Sequence, residues 1–246
     1  MERKETIASF FHGWNETMIW SCLQGEMGAA IPDQEQAPTA ARLEIGDFCF
    51  FAGVPNLDLV RTCKAAILVP RDAEWGRLIE AVWGDGVEKG LRYAIKKEPN
   101  VFHVGRLTEL AASLESDYEL RLMDESLYTQ ALGESWSRDL CSQFTDAADY
   151  IRRGVGVAVL HQGGLAAGAS SYTVYQGGIE IEIDTKPAHR QKGLATACGA
   201  QLILECLQRG LYPSWDAHDL RSVSLAQKLG YHLEGSYVVY TMGHLH

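Results

Sequence analysis

The chain has 246 residues, 46% hydrophobic and 22% charged, with a formal net charge of −10. That length carries one large or two small domains with a sizeable core, and the composition is that of a globular chain, not a disordered or fibrous one. The acidic balance argues against nucleic acid or an anionic membrane as the main partner, and no run of about 18 apolar residues offers a membrane span.

The opening stretch MERKETIASFFHGWNETMIW mixes acids with its bases. It lacks an apolar core followed by a small-residue cleavage site, so a cytoplasmic protein is expected. Over residues 1–30, Ile7, Phe10, Phe11, Trp14, Met18 and Leu23 recur at helical intervals. Residues 29–41, polar with two prolines, read as a loop. DFCFFAGVPN and AAILVP read as short buried strands. DAEWGRLIEAVW reads as a helix capped by Asp72, with Trp75, Leu78, Ile79, Val82 and Trp83 on one face. VEKGLRYAIKKEPNVF reads as a second helix or turn stopped by Pro99, and RLTELAASLESD as a third short helix. Residues 1–115 are therefore expected to form an α/β domain of their own, without a catalytic motif.

From Tyr118 the order is clearer. YELRLMD alternates as a strand does, and ESLYTQALGESWSRDLCSQF gives one or two short helices with a loop. Residues 145–154 form a short helix with Thr145 as N-cap and Gly154 as its stop. Three strands follow, turned at Gly163-Gly164 and Gly177-Gly178. GLATACGAQLILECLQRG is a helix, YPSWDAH a short strand, LRSVSLAQKLG a helix, and YHLEGSYVVYTM a final hairpin or paired strands.

Six cysteines, Cys22, Cys49, Cys63, Cys141, Cys198 and Cys206, form no CxxC pair and lie mostly in apolar surroundings. Buried reduced thiols are expected. Their spacing does not describe a structural zinc site, and no metal is expected. The eight histidines are scattered, with no HExxH; His244 and His246 read as a frayed tail.

The strand at residues 178–185 sets Ile179, Ile181 and Ile183 on one face and Glu180, Glu182 and Asp184 on the other. A basic turn follows, with Lys186, His189, Arg190 and Lys192, and then a helix from Leu194 that no Ser, Thr, Asp or Asn caps. First-turn N–H groups without an internal acceptor, at the positive end of a helix dipole, favour phosphate. Arg190 and Lys192 add charge, and Gly193 lets a ligand approach the backbone. Leu194, Ala195, Cys198, Leu202, Ile203, Cys206 and Leu207 make the helix apolar over much of its girth. Its N-terminus therefore points out of a core.

Arg190-Gln191-Lys192-Gly193-Leu194-Ala195 resembles the (Gln/Arg)-x-x-Gly-x-(Gly/Ala) signature of the GNAT N-acetyltransferases. Residues 219–231, DLRSVSLAQKLGY, resemble that family's later Asn-x-x-Ser-x-x-Leu…Leu-Gly-Phe helix. The resemblance covers roughly 130 residues from about Tyr118. RYAIKKEPNVF and WSRDLCSQF look like a two-part subgroup that includes a zwittermicin-type antibiotic-resistance acetyltransferase. It implies the GNAT fold over residues 116–246: a mixed, mostly antiparallel twisted sheet with helices on both faces, beside the N-terminal α/β domain. It also implies acetyl-CoA as co-substrate. The amides of Gln191, Lys192, Gly193, Leu194, Ala195 and Thr196 would hold the pyrophosphate beside Arg190. The backbone near Ile183 and Thr185 would pair with pantetheine. Asp219 and Ser222, in the later motif, would stand on the cofactor side, and splayed strands around Trp215 would admit the thioester.

An amine must lose a proton before it attacks a thioester, so the site needs a base, direct or through water. Glu182 and Glu180 are the candidates: they share a face about 7 Å apart along the strand, and a partly dry cleft raises a carboxylate pKa. The family's usual acid is a Tyr, and its position here is Ala226. Tyr231, Tyr172 or water would protonate the leaving thiolate, or it would leave unassisted. The acceptor is expected at Trp136, Ser137, Asp139 and Gln143, in a loop that shapes entry. The expected activity is acetyl transfer to a small-molecule amine, an antibiotic or a metabolite. The competing reading is a non-catalytic acyl-CoA-binding regulator. The roles left open for the N-terminal domain are completing the acceptor pocket, forming a homodimer contact, and buttressing.

Overall fold

The computed structural model describes residues 3–243, so His244 and His246 lie outside the described residues. The chain divides into two compact units, Met1–Arg92 with Ser236–His246, and Tyr93–Gly235. The division differs from the expected one at residue 115.

The first unit opens with helices α1 (Arg3–Phe10) and α2 (Thr17–Gln24), separated at Gly13, whose φ is 72°. Strands β1 (Ala29–Pro32), β2 (Ala40–Ile45) and β3 (Phe48–Gly53) follow in antiparallel order. Only the middle of residues 29–41 is a loop. The Asp33 carboxylate accepts from the amides of Thr39 and Ala40 and closes that hairpin. Helix α3 (Leu57–Arg61) carries the chain over to β4 (Ile67–Pro70), parallel to β3. Asp72 caps α4 (Ala73–Trp83) as its sequence predicts, accepting from the amides of Glu74 and Trp75. Strand β5 (Val87–Ile95) replaces the helix or turn expected there. Its Glu, Lys, Leu and Arg are good helix formers, but sheet neighbours from the far end of the chain decide its state.

The second unit contains the end of β5, helix α5 (Val104–Ala111), strand β6 (Tyr118–Leu122), helix α6 (Glu125–Gly133), a 3-10 turn at Arg138–Leu140, and helix α7 (Ala147–Arg153). Strands β7 (Gly156–His161), β8 (Gly164–Tyr175) and β9 (Gly178–Thr185) come next. Helix α8 (Leu194–Gln208), strands β10 (Tyr212–Ser214) and β11 (Asp216–Ala217), helix α9 (Leu220–Leu229) and the start of β12 (Leu233–Met242) complete it. The cap of α7 is Asp146, not Thr145: the Asp146 carboxylate accepts from the Asp149 amide. The β7–β8 turn is Gln162-Gly163, with φ of 52° and 80°, one residue earlier than expected. Positive φ at both central residues matches the twist of a two-residue hairpin.

The second unit's sheet runs β10-β9-β8-β7-β6, antiparallel except for the parallel β9–β10 pair. Helices cover both faces. A Cβ on Gly199 of α8 would lie 3.4 Å from Ile183, which puts α8 on the isoleucine face. A Cβ on Gly168, the register partner of Asp184, would lie 2.6 Å from Leu140, which puts the 3-10 turn on the acidic face.

Two endings depart from expectation. YPSWDAH is two short strands in different sheets, and Leu233–Met242 forms one strand instead of a hairpin or paired strands. Strand β12 crosses the unit boundary and returns to the first unit, pairing Tyr240 with Leu68 and Thr241 with Ile67. Buried Tyr240 there joins Cys49, Phe51, Leu68, Trp75 and Ile79 in one core.

Candidate functional site

Strands β9 and β10 pair only at Gly178–Tyr212, Ile179–Pro213 and Glu180–Ser214. After Ser214 the chain turns at buried Trp215, and Asp216–Ala217 pair instead with Ala94 and Tyr93. The β9 edge from Ile181 to Thr185 therefore faces no strand among the described residues. Backbone groups along such an edge need partners, and an extended, amide-bearing ligand supplies them as a strand would. Two are met internally: the Thr185 carbonyl accepts from Arg190 Nε at 3.3 Å, and the Thr185 amide donates to Asp184 Oδ1 at 2.6 Å.

Beyond this edge stands the N-terminus of α8. Gly193, with φ of 78°, occupies its cap position, and no side chain caps the first turn. Gln191 is also left-handed, at φ 63°. Arg190, Gln191, Lys192 and Gly193 are exposed, Ala195 is half-buried, and Leu194 and Thr196 are buried. A Cβ on Gly193 would meet nothing within 4 Å, so the loop opens outward. Uncapped first-turn amides, the helix dipole and two basic side chains give this end a positive potential.

Tyr118, which sequence reasoning missed, supports the turn. Lys192 Nζ lies 2.9 Å from the Tyr118 hydroxyl and 5.4 Å over its ring. The same hydroxyl is 2.9 Å from His189 Nδ1. The bond to Tyr118 raises the Lys192 pKa, so the turn keeps its ammonium. Burial, then the charges of His161, Lys192 and Lys186, hold His189 below the usual histidine range. Tyr118 opens β6 and His189 follows β9, so nothing local in the sequence marks the pair.

The acidic face lies on the same strand. Glu180 is 3% exposed, while Glu182, Ile183, Asp184 and Thr185 are half-buried. Glu182 stands opposite Ser170, and Glu180 opposite Thr173 across a bulge at Tyr172. Burial raises the Asp184 pKa, against a hydrogen bond from the Thr185 amide and the nearby Arg190. The segment after α6 covers this face. Glu134 accepts from Trp136 Nε1 at 2.8 Å and pairs with Lys186 Nζ at 2.8 Å, which ties that segment to the basic turn. Trp136 and Gln143 are half-buried, Ser137 is buried and Asp139 exposed.

Other candidates are engaged elsewhere. Tyr231 is 2% exposed and donates its hydroxyl to the Pro213 carbonyl at 2.7 Å, packed against Phe102 and Trp215. Burial drives its pKa far up, so it is set aside as the acid. The Asp219 carboxylate caps α9, accepting from the amides of Arg221 and Ser222, and also pairs with the Arg221 guanidinium. The Ser222 hydroxyl accepts from Trp215 Nε1 at 3.0 Å. Both residues position Trp215 and α9 instead of presenting free groups to a cofactor. Ala226 is fully buried.

The profile of the GNAT acetyltransferases matches residues 8–240. The chain belongs to this family. The match takes in both units, so the first is part of the family's architecture and not an unrelated appendage. A GCN5-related N-acetyltransferase-like protein from Streptococcus suis 89/1591 is 46% identical, with a TM-score of 0.95 over 98% of each chain. YdfB, an uncharacterised N-acetyltransferase of Bacillus subtilis strain 168, is 24% identical over 198 residues, 79% of this chain and 72% of that protein. A GCN5-related N-acetyltransferase from Kribbella flavida shares the fold at 17% identity and a TM-score of 0.56, over 87% of this chain and 91% of that one. The GNAT fold expected for the second half is thus what the chain adopts, and the family is one of acyltransferases.

Proposed function

We propose that the protein transfers an acetyl group from acetyl-CoA to the amine of a small molecule. The observation that carries this reading is the pairing of an open β9 edge with an uncapped, outward-facing α8 N-terminus on one unit. The residues fit coenzyme A. The amides of Gln191 to Thr196, with Arg190 and Lys192, suit the pyrophosphate. The edge at Ile183 suits the pantetheine amides, and Thr185 would exchange its bonds to Asp184 and Arg190 for them. Acetyl-CoA would supply the activated acyl group.

The chain's own part is to orient the amine and take its proton. Glu182 is half-buried at the mouth of the acidic face and is the first candidate base. Glu180, buried on the same strand, is the second candidate and would take the amine's proton by way of a water molecule. Trp136 and Gln143, on the covering segment, would line the acceptor side. An acidic face suits an acceptor that arrives as a cation. With Ala226 at the family's tyrosine position and Tyr231 engaged, the thiolate leaves unassisted or with a proton from water.

Calorimetry with acetyl-CoA, beside a folded Arg190→Glu/Gly193→Asp variant, tests the cofactor half. Micromolar binding lost in the variant is the expected result, and absence of binding by the wild type would refute the proposal. A screen for CoA release across amines then separates an enzyme from a binding regulator. With an accepted amine, Glu182→Gln should lower kcat/KM about 100-fold and flatten its rise with pH. An unchanged profile would remove Glu182 from the role.

A further inference from the structure

Among the described residues, one group of side chains gathers ligand atoms suited to a metal ion, and it lies in the first unit, apart from the transfer site. The carboxylate of Glu44 and the sulfurs of Cys49 and Cys63 all stand within 4.8 Å of one another. The fold builds this cluster from distant positions. Glu44 and Cys49 are directly opposed in the β2–β3 register, so their side chains share a face. Cys63 is brought in from the end of α3. Arg42, on the same face as Glu44, donates to the Leu59 carbonyl and the Thr62 hydroxyl at 2.6 Å each, clamping that end to β2. Cys49 is 0% and Cys63 3% exposed, while the Glu44 side chain is 33% exposed, which leaves a path from solvent.

We propose that Glu44, Cys49 and Cys63 form a binding site for one thiophilic divalent cation of the zinc class. Thiolates and carboxylates are both zinc ligands, and thiolates select zinc over magnesium or calcium. Ligand atoms about 2.0–2.3 Å from the ion stand under about 4 Å apart, so the three need to draw together by only about 1 Å. Charge also balances. Two thiolates and a carboxylate around a divalent ion leave a single negative charge, and Arg42 Nε lies 2.7 Å from Glu44 Oε1 to offset it. A bound ion would tie the β2–β3 hairpin to the end of α3, so its effect is on the stability of the first unit.

The test uses the full chain, reduced and stripped with a chelator, then titrated with cobalt(II) and afterwards with zinc(II). The expected result is one cobalt per chain with a near-ultraviolet thiolate-to-metal band, bleached by one equivalent of zinc, and a higher melting temperature with zinc. Cys49→Ala and Cys63→Ala should lose the band, and Cys198→Ala, in the second unit, should keep it. If either ligand variant fails to fold, Glu44→Gln decides. It alters the half-exposed ligand and should weaken affinity at least tenfold with the circular dichroism unchanged. A folded, reduced wild type that shows no band, a band that survives in Cys49→Ala, or unchanged affinity in Glu44→Gln would overturn the proposal.

Discussion

Asp149 shows how one buried carboxylate anchors a helix. It is 6% exposed, pairs with Arg152, and takes two hydrogen bonds from Arg153 at 2.7 and 2.8 Å. The bonds from Arg153, then Arg152, outweigh burial and hold its pKa well below the usual carboxylate range. The stabilisation is therefore complete above about pH 4, where an unfolded aspartate is ionised, and fades as pH falls through the folded-state value. Asp149→Asn should cost about 2 kcal/mol at pH 7, and its deficit against the wild type should shrink towards pH 2. Urea midpoints at both pH values measure this, and a deficit that does not change with pH would contradict it. Tyr118 carries a second prediction. It fixes Lys192 over its ring, so Tyr118→Phe should raise KM for acetyl-CoA about threefold and leave kcat alone, since the interaction is made equally before and during reaction. A fall in kcat at constant KM would place Tyr118 in the chemistry instead.

At the scale of elements, β9 and β10 part beyond Glu180 to open the candidate site, and Gly178 sets where the two strands meet. A Cβ there would collide with the Tyr212 carbonyl and the Tyr175 hydroxyl. The carbonyl is backbone, so the only relief is for β10 to move off β9. Gly178→Ala should therefore cost about 1–3 kcal/mol and lower kcat more than acetyl-CoA affinity, because the turn proposed to hold the pyrophosphate lies at the other end of β9. Stability from denaturant melts and kinetics on the same preparation check both halves. A stable variant with full activity would show that the strands tolerate a different opening. The α8 helix behaves differently: a Cβ on Gly199 would press the Leu229 side-chain tip at 2.8 Å, which can rotate away.

At the scale of the whole molecule, the chain's end completes its beginning. Residues 236–242 of β12 extend the first unit's sheet against β4 and bring Tyr240, 1% exposed, into the core beside Trp75. A chain ended after Gly235 should lose amide-exchange protection in β3 and β4, and its first unit should melt earlier. Protection retained in those strands would mean that β12 is dispensable. Charge works at this scale too. A net −10 repels an anionic ligand at long range, so the basic turn at residues 186–192 must act within about 10 Å, the screening length near physiological salt.

The sequence determined what is local. Asp72 announced its helix, alternation announced β6 and β9, and the basic turn with Gly193 before an uncapped apolar helix announced α8. These signals survive because caps, strand faces and helix termini are set by neighbours within about four residues. Tertiary structure decided what depends on distant partners. Val87–Ile95 is a strand because other strands lie beside it, residues 212–217 are shared between two sheets, and Tyr231 is buried against Phe102 and Trp215. Tyr118 reaches Lys192, and Cys63 reaches Cys49, only after the chain has folded. Sheet pairing and side-chain clusters are won from non-local burial and hydrogen bonding, for which a single sequence carries no local mark.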